Sequence, residues 1–422
     1  SGRRTMGQIF QEAGFFTAGF YTAPYVHPRF GFDRGFEFYE QCTREPMAFD
    51  MAPERIKEES AKRERISHEE VTSNRAVAKW AAVFRREAAR KFFFLHLFDP
   101  HYDFRAPADR AQLFRDPDYT GPILNKMPIM GSPFIHAGMP DEDLDQLRAL
   151  YDAELRWTDD NLAGVLKTIE EEDLEGRALI VVVSDHGEEF FEDGKFGHRT
   201  GLRDEVLRVP MIFWGPGLIP AGQVIDDEVA LYDVLPTLMD YAGLEPSEDI
   251  YGRSLRPLME GRPLEPRATT ASLTFLYADK ASDHYTRHDS VVYQGLKYTR
   301  TVDRPWNPEI PMDLGRAPTA EQTSAARVEV YDLEQDPGET HNLAAANPND
   351  ERVQRIRAIY EAEAARIKQL ARDQKGLGSS ADDGRFGDVD DLIANMQAIG
   401  YAQGGSGDDG APAAPTADPA DG

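Results

Sequence analysis

Two apolar runs that end in aspartate and histidine constrain the fold of this chain more than any other feature. Residues 91–101 read KFFFLHLFDPH, and residues 178–187 read ALIVVVSDHG. A run without polar alternation is typical of a strand that is covered on both faces in a parallel sheet. Leucines at helical spacing over 141–173 predict a long helix between the runs, and VPMIFWGPG (209–217) predicts a third strand. Alternating strands and helices predict an α/β fold with a doubly wound, mostly parallel sheet flanked by helices.

The pattern changes after residue 265. The segments ATTASLTFLYA, SVVYQGLKYTRTV and VEVYDLEQDP predict short strands of a small antiparallel sheet, and a helix is predicted over 350–372. We therefore expect an α/β domain over 1–265, a small α+β subdomain over 266–375 and a disordered, low-complexity tail over 403–422. The stretch 105–140 is rich in proline and glycine and is predicted to be a long loop.

Composition and charge argue against a nucleic-acid partner and against a transmembrane helix. The chain has 74 acidic and 47 basic side chains, and its formal net charge of −27 would repel a nucleic-acid backbone. A small anionic substrate stays open, because a bound cation can reverse the local field. No apolar run approaches the ~20 residues of a transmembrane helix. Cys42 is the single cysteine, so an internal disulfide is excluded, and we predict a structural role for it.

Asp185 and His186 are the first candidates for metal ligands. They follow the second apolar run, and Gly187 permits a turn that could bring their side chains to one ion. A carboxylate oxygen with an imidazole nitrogen suits a divalent cation such as Ca²⁺, Mg²⁺ or Mn²⁺. The residues alone leave open an alternative, in which the aspartate caps a helix and the histidine lies on the surface.

His101 and His198 are candidates for contact with an anionic substrate. His101 ends the first apolar run, and His198 follows the second run after a stretch rich in acids. An imidazole at either position could bind an anionic oxygen or act as a general acid, although each residue taken alone favours an ordinary loop histidine. The acids between the second run and His198 are predicted to form a solvated loop instead of supplying ligands: Glu188, Glu189, Glu192 and Asp193.

Taken in order, several motifs together resemble the sulfatases of the alkaline phosphatase superfamily. The motifs are FFFLHLFDPH, YDAELRWTDDNLAGVLKTIEEEDLEGRALIVVVSDHGEEF, GHRTGLRDEVLRVPMIFWGPG and VEVYDLEQDPGETHNLA. The resemblance runs from residue 5 to residue 401 and implies the same α/β sheet domain and small antiparallel sheet. It also implies a closing helix over 376–402, where DVDDLIANMQAIGY stands.

The resemblance assigns roles to the candidate residues. The metal of the family, usually Ca²⁺, is held by an early acidic pair and by a later pair that Asp185 and His186 match. His101 matches a histidine that binds the sulfate group. His198 matches a basic residue that contacts the sulfate or the leaving oxygen. The resemblance thus implies catalytic and substrate-binding roles for both of these histidines.

Two features of the family do not occur in this sequence. The Cys/Ser-x-Pro-x-Arg motif that yields formylglycine is missing, since Cys42 is followed by Thr43, Arg44 and Glu45. The early acidic metal pair is missing as well. Both precede the TMGQIFQEAGFFTAGF segment in the family, so we expect this chain to lack a first segment that carries them and to be inactive alone. Loss of a strand would also leave an unpaired sheet edge, which selection seldom keeps.

The resemblance implies metal-dependent hydrolysis of a small or oligomeric sulfated substrate through a formylglycine nucleophile. Two alternatives stay open. One is hydrolysis of a phosphoester or phosphonate ester within the same superfamily. The other is a non-catalytic relative, if the chain is complete as given. Export to the periplasm or the exterior is favoured by the resemblance, while a cytoplasmic location, the oligomeric state and the identity of the sulfated compound are left open.

Overall fold

A three-stranded parallel sheet forms the first part of the fold. The computed structural model describes residues 4–43, 72–86, 88–101, 103–129, 132–246, 250–279, 282–305 and 326–375. Helix α1 (Met6–Glu12) is capped by Thr5, and Gly14 at φ 80° turns the chain into β1 (Phe16–Tyr21), which is buried along its length. Strand β1 pairs in parallel with β2 (Phe38–Gln41) on one side and β3 (Lys91–Leu95) on the other.

Two helices cover this sheet. Helix α2 (Ser73–Phe84) turns Ala76, Trp80 and Phe84 toward β1 and β3, at the spacing of one helical face. The predicted long helix is α4 (Asp141–Glu171), and it adds Val165 and Ile169 to the same core. The predicted loop over 105–140 is wrong in one part, because α3 (Ala108–Phe114) follows Pro107 there and buries Ala111.

The second apolar run forms β4 (Ile180–Val183), and VPMIFWGPG contains β7 (Met211–Trp214). These two strands pair antiparallel with each other. The connection between them holds only a two-stranded hairpin, β5 (Glu189–Phe190) with β6 (Phe196–Gly197), and helix α5 (Asp204–Leu207). Two parallel strands need a crossover connection that carries the chain back to the opposite end of the sheet. The connection between β4 and β7 stays at the end where β4 finishes, so the two strands pair antiparallel.

Strand β4 is less buried than its sequence predicts. Val183 is 42% exposed, and Ile212 on β7 is 56% exposed. Among the described strands β4 pairs with β7 alone, so apolar surface that a second neighbour would cover stays open. The prediction of a strand covered on both faces is therefore wrong for β4.

The C-terminal part is a four-stranded antiparallel sheet in the order β11-β10-β9-β8. After α6 (Val234–Tyr241) and α7 (Arg256–Met259), its strands are β8 (Thr269–Asp279), β9 (Ser282–Tyr293), β10 (Leu296–Pro305) and β11 (Arg327–Asp332). Helices α8 (Leu343–Ala346) and α9 (Glu351–Lys375) follow, and α9 packs Val353 and Ile356 on the sheet.

The predicted α/β fold with a small C-terminal antiparallel sheet is confirmed. The domain boundary at residue 265 stays a prediction. The predicted closing helix over 376–402 and the tail over 403–422 lie outside the described residues. No helix within the described ranges combines the length and the apolar character that crossing a membrane requires.

Candidate functional site

Three histidines from separate segments meet at the ends of the apolar strands. The rings of His186 and His198 stack with centroids 3.9 Å apart, and the rings of His101 and His198 meet edge to face at 5.4 Å. His101 is 9% exposed and His198 is 6% exposed, whereas the side chain of His186 is 31% exposed. The structure therefore brings the candidate histidines into one cluster, which we call the histidine cluster.

The turn that carries Asp185 and His186 depends on Gly187 for a steric reason. The Gly187 N–H donates to the Val206 carbonyl on α5 at 2.8 Å. A Cβ at position 187 would lie 2.1 Å from the Glu205 carbonyl oxygen, so only glycine lets the two segments approach this closely. No helix begins at Asp185, so the alternative of a helix-capping aspartate is wrong.

Asp185 and His186 present one oxygen and one nitrogen donor on the same side of this turn. His186 Nδ1 bonds to the Gly187 carbonyl at 2.9 Å, and since a carbonyl only accepts, Nδ1 carries the proton. Nε2 therefore keeps its lone pair, and it lies 3.8 Å from Asp185 Oδ1. This tautomer suits a metal ligand. Within the described ranges no group of three or more His, Cys, Asp or Glu side chains could hold an ion, so the pair fits part of a site.

His198 forms a buried dyad with Glu188, which the sequence analysis placed in solvent. His198 Nδ1 lies 3.1 Å from Glu188 Oε2, and the two side chains are only 4% and 6% exposed. Burial raises the pKa of Glu188 to about 8 and lowers the pKa of His198 to about 3, so both are uncharged at neutral pH. A protonated Glu188 donates to Nδ1, which places the ring proton of His198 on Nε2.

The prediction of a solvated acidic loop is wrong for Glu188 and Glu189. Glu189 is 1% exposed and accepts a hydrogen bond from Thr200 Oγ1 at 2.7 Å. The hairpin of β5 and β6 packs Phe190 against an apolar cluster, and this packing draws the neighbouring acids inside. The alternation of acids with phenylalanines in GEEFFEDGKFGH was a signal for such a hairpin.

His101 is held from behind by Glu154 on α4, a residue that the sequence analysis did not single out. Glu154 is 2% exposed and accepts the His101 N–H at 3.1 Å and also the Arg105 N–H. Burial raises the pKa of Glu154 well above its usual range, and the nearby Asp99 carboxylate adds to the effect. Phe98 stacks on the ring of His101 at 4.3 Å. The signal was an acid on the apolar stripe of a helix, one turn beyond Leu150.

His96 is a fourth histidine near the cluster, and it lies within the first quoted motif. The Thr22 hydroxyl donates its proton to the His96 carbonyl at 3.0 Å. The same hydroxyl oxygen therefore accepts the proton on His96 Nδ1 at 3.1 Å. Burial lowers the pKa of His96 to about 4, and the Asp185 carboxylate opposes that shift. His96 is therefore a neutral imidazole within the electrostatic reach of Asp185.

Two family models match the chain. The model described as Sulfatase matches residues 1–244, and the model described as N-sulphoglucosamine sulphohydrolase, C-terminal, matches residues 187–319. Arylsulfatase K of Homo sapiens is 32% identical over 117 residues, which cover 28% of this chain. The same match covers only 22% of the length of that curated relative.

Solved structures share the fold across most of the chain. BT4656 in complex with its substrate D-glucosamine-2-N,6-O-disulfate has a TM-score of 0.61 at 17% identity, covering 88% of this chain and 83% of that one. The phosphonate monoester hydrolase of Agrobacterium radiobacter has a TM-score of 0.58 at 18% identity, covering 88% and 81%. At these identities the similarity establishes the fold.

Proposed function

Because the chain belongs to the sulfatase family, we propose that it carries the cation-binding and histidine part of an active site that hydrolyses organic sulfate esters. The observation that carries this proposal is the histidine cluster beside Asp185. His101 and His198 are largely buried. Burying polar rings costs free energy. We propose that the rings are kept at this place because they bind an anionic substrate.

We propose that Asp185 and His186 are two ligands of a divalent cation, with Ca²⁺ first and Mg²⁺ or Mn²⁺ as alternatives. The Nε2 lone pair of His186 and the exposed carboxylate of Asp185 support this assignment. A bound cation would polarise the sulfate oxygens and favour an ionised nucleophile. These two residues supply one oxygen and one nitrogen ligand, so we propose that further ligands and a formylglycine nucleophile complete the site.

The two buried histidines would act on the substrate. His101 would stabilise the charge on the transferred group. Glu154 accepts the backbone N–H of His101 and so fixes the position of its ring before the substrate binds. His198 bonds to Glu188 through Nδ1, so the Nε2–H of its neutral ring would donate to the leaving alcohol oxygen. The Glu188 proton can then move to Nδ1, so the ring stays neutral and the negative charge left by the donated proton rests on the Glu188 carboxylate.

We propose a sulfated amino sugar as the substrate class. One matching family model describes an N-sulphoglucosamine sulphohydrolase C-terminal region, and it spans β5, β6 and His198. BT4656, which shares the fold, is described with a disulfated glucosamine as its substrate. A phosphonate or phosphate ester is the second candidate, favoured by the similarity to a phosphonate monoester hydrolase.

The experiment measures turnover and metal content together in the full-length protein. The wild type is assayed with glucosamine 6-sulfate, 4-nitrophenyl sulfate and a phenylphosphonate ester, and sulfate release should exceed phosphonate ester cleavage. His198→Ala should lower kcat by about 100-fold or more, the range for general acid catalysis, and keep the bound metal. His186→Ala should lose metal, and His341→Ala on the exposed surface is the control. Loss of metal in His198→Ala would contradict the assigned roles, and faster phosphonate cleavage would favour the second candidate.

A further inference from the structure

A buried ion network ties the C-terminal sheet to the helix beneath the candidate metal turn. Lys297 on β10 is 0% exposed, and its Nζ lies 2.9 Å from Asp204 Oδ1 and 2.7 Å from Glu339 Oε1. Glu339 Oε1 also accepts the backbone N–H of Asp204 at 2.7 Å. Glu339 therefore anchors both the side chain of Lys297 and the first residue of α5.

A second set of bonds joins the same segments. Arg203, which directly precedes α5, donates to the carbonyl oxygens of Gly338 at 2.6 Å and Glu339 at 3.3 Å. Glu339 takes a φ of 51°, a backbone conformation that costs free energy outside glycine and persists only when its surroundings hold it. The loop after β11 therefore holds the start of α5 through these hydrogen bonds.

Helix α5 in turn holds the candidate metal turn. The Val206 carbonyl accepts the Gly187 N–H at 2.8 Å, and the Glu205 carbonyl packs against Gly187 so closely that a Cβ could not fit. His186 directly precedes this glycine. A chain of contacts thus runs from Lys297 through Asp204 and α5 to the backbone that carries Asp185 and His186.

We propose that Lys297 and Glu339 are positioning residues for the turn that presents Asp185 and His186. Lys297 pairs with the carboxylates of Asp204 and Glu339, while Arg203 bonds to backbone carbonyls of the loop and pairs with Glu205 at 3.5 Å. Removing Lys297 takes the ionic partner from the Glu339 carboxylate, which is 2% exposed, and breaking a buried pair in this way is strongly destabilising at the point of contact. The consequence for metal binding rests on the function proposed above, whereas the mechanical link is a property of the fold.

The test compares Lys297→Met with Arg267→Met by hydrogen–deuterium exchange. Arg267 forms a buried ion pair with Asp233 at 2.7 Å and also joins the C-terminal region to the α/β part, which makes it a matched control. Lys297→Met should speed exchange in peptides over 184–191 by about tenfold, as expected for local opening, and leave β1 unchanged. Arg267→Met should speed exchange near Asp233 and leave 184–191 unchanged.

Two further measurements separate positioning from general destabilisation. Glu339→Gln keeps the shape of the side chain and one acceptor oxygen. It should therefore speed exchange over 184–191 by less than Lys297→Met does, and it supplies the test if Lys297→Met does not fold. The affinity for Tb³⁺, followed by its luminescence, should fall in Lys297→Met and recover in part when Asp204→Asn removes one unpaired carboxylate. If the wild type binds no Tb³⁺, the assignment of Asp185 and His186 as metal ligands fails. The exchange result still shows whether Lys297 and Glu339 position the turn that carries them. Equal exchange over 184–191 in Glu339→Gln, Arg267→Met and the wild type would overturn the proposal.

Discussion

Replacement of Glu154 by glutamine tests how the fold holds His101. Glu154 is 2% exposed on α4, and its two oxygens accept the backbone N–H groups of His101 and Arg105. A glutamine of the same shape offers one acceptor oxygen, and its NH₂ group must face the other N–H. One buried donor is then unsatisfied, which costs about 1–3 kcal/mol of unfolding free energy.

The same substitution on the same helix provides the control. Glu171 pairs with Arg85 at 3.2 Å, and both side chains are 51% exposed. An exposed pair of this kind is worth about 0–1 kcal/mol, so Glu171→Gln should be nearly neutral. Urea denaturation of both variants gives the two free energies. If Glu154→Gln costs no more than Glu171→Gln, Glu154 does not hold the segment that carries His101.

The pH dependence of this difference has a definite sign. Burial raises the pKa of Glu154 well above 4.5, so the native state keeps a proton that the unfolded chain releases at lower pH. This protonation stabilises the wild type at low pH, and the stabilisation is lost as the pH rises through the native pKa. Glutamine cannot ionise. The destabilisation by Glu154→Gln should therefore be larger at about pH 6 than at about pH 8.5, and the opposite trend would contradict a raised pKa.

Three other substitutions or treatments probe the site and the core. Glu188→Ala should lower kcat for the sulfate ester by about 10–100-fold, because His198 loses the carboxyl group that orients its ring. Gly187→Ala should destabilise the protein by about 1–3 kcal/mol in urea denaturation, because its Cβ would collide with the Glu205 carbonyl. Cys42 should resist alkylation in the native protein at pH 8 and react after unfolding, because it is fully buried and burial raises its pKa to about 11.

Each of these predictions has a result that would contradict it. Unchanged kcat in Glu188→Ala, with Glu192→Ala as the control on the same hairpin, would exclude a role for the dyad. A stable Gly187→Ala protein would mean that α5 can move away from the metal turn. Fast native alkylation of Cys42 would mean that the core around β2 opens locally, against the structural role that its burial supports.

Much of the fold follows from local sequence. The helix over 141–173 was predicted with nearly its observed bounds, because helical periodicity depends on residues close in the sequence. The three C-terminal segments that the sequence singled out all lie in the antiparallel sheet, but SVVYQGLKYTRTV contains parts of two strands, so the sheet has four strands. The shared role of His101 and His198 at one site was expected only from the resemblance to the sulfatases.

Other features required the tertiary structure. The sequence placed Glu188 in solvent and gave no role to Glu154, yet both are buried beside the histidines. Burial of an acid depends on what packs over it, and the backbone N–H groups that Glu154 accepts belong to His101 and Arg105, on a distant segment. The antiparallel return of β7 and the exposure of Val183 likewise depend on which strands become neighbours.

The sequence by itself determined the order of strands and helices and the residue types available for chemistry at the strand ends. Only the tertiary structure decided which of those residues meet, which carry a proton, and which are held by a partner. Periodicity and capping are properties of neighbouring residues, so the chain encodes them locally. The raised pKa of Glu154 and the link from Lys297 to Gly187 arise from contacts between distant segments, and these exist only once the chain has folded.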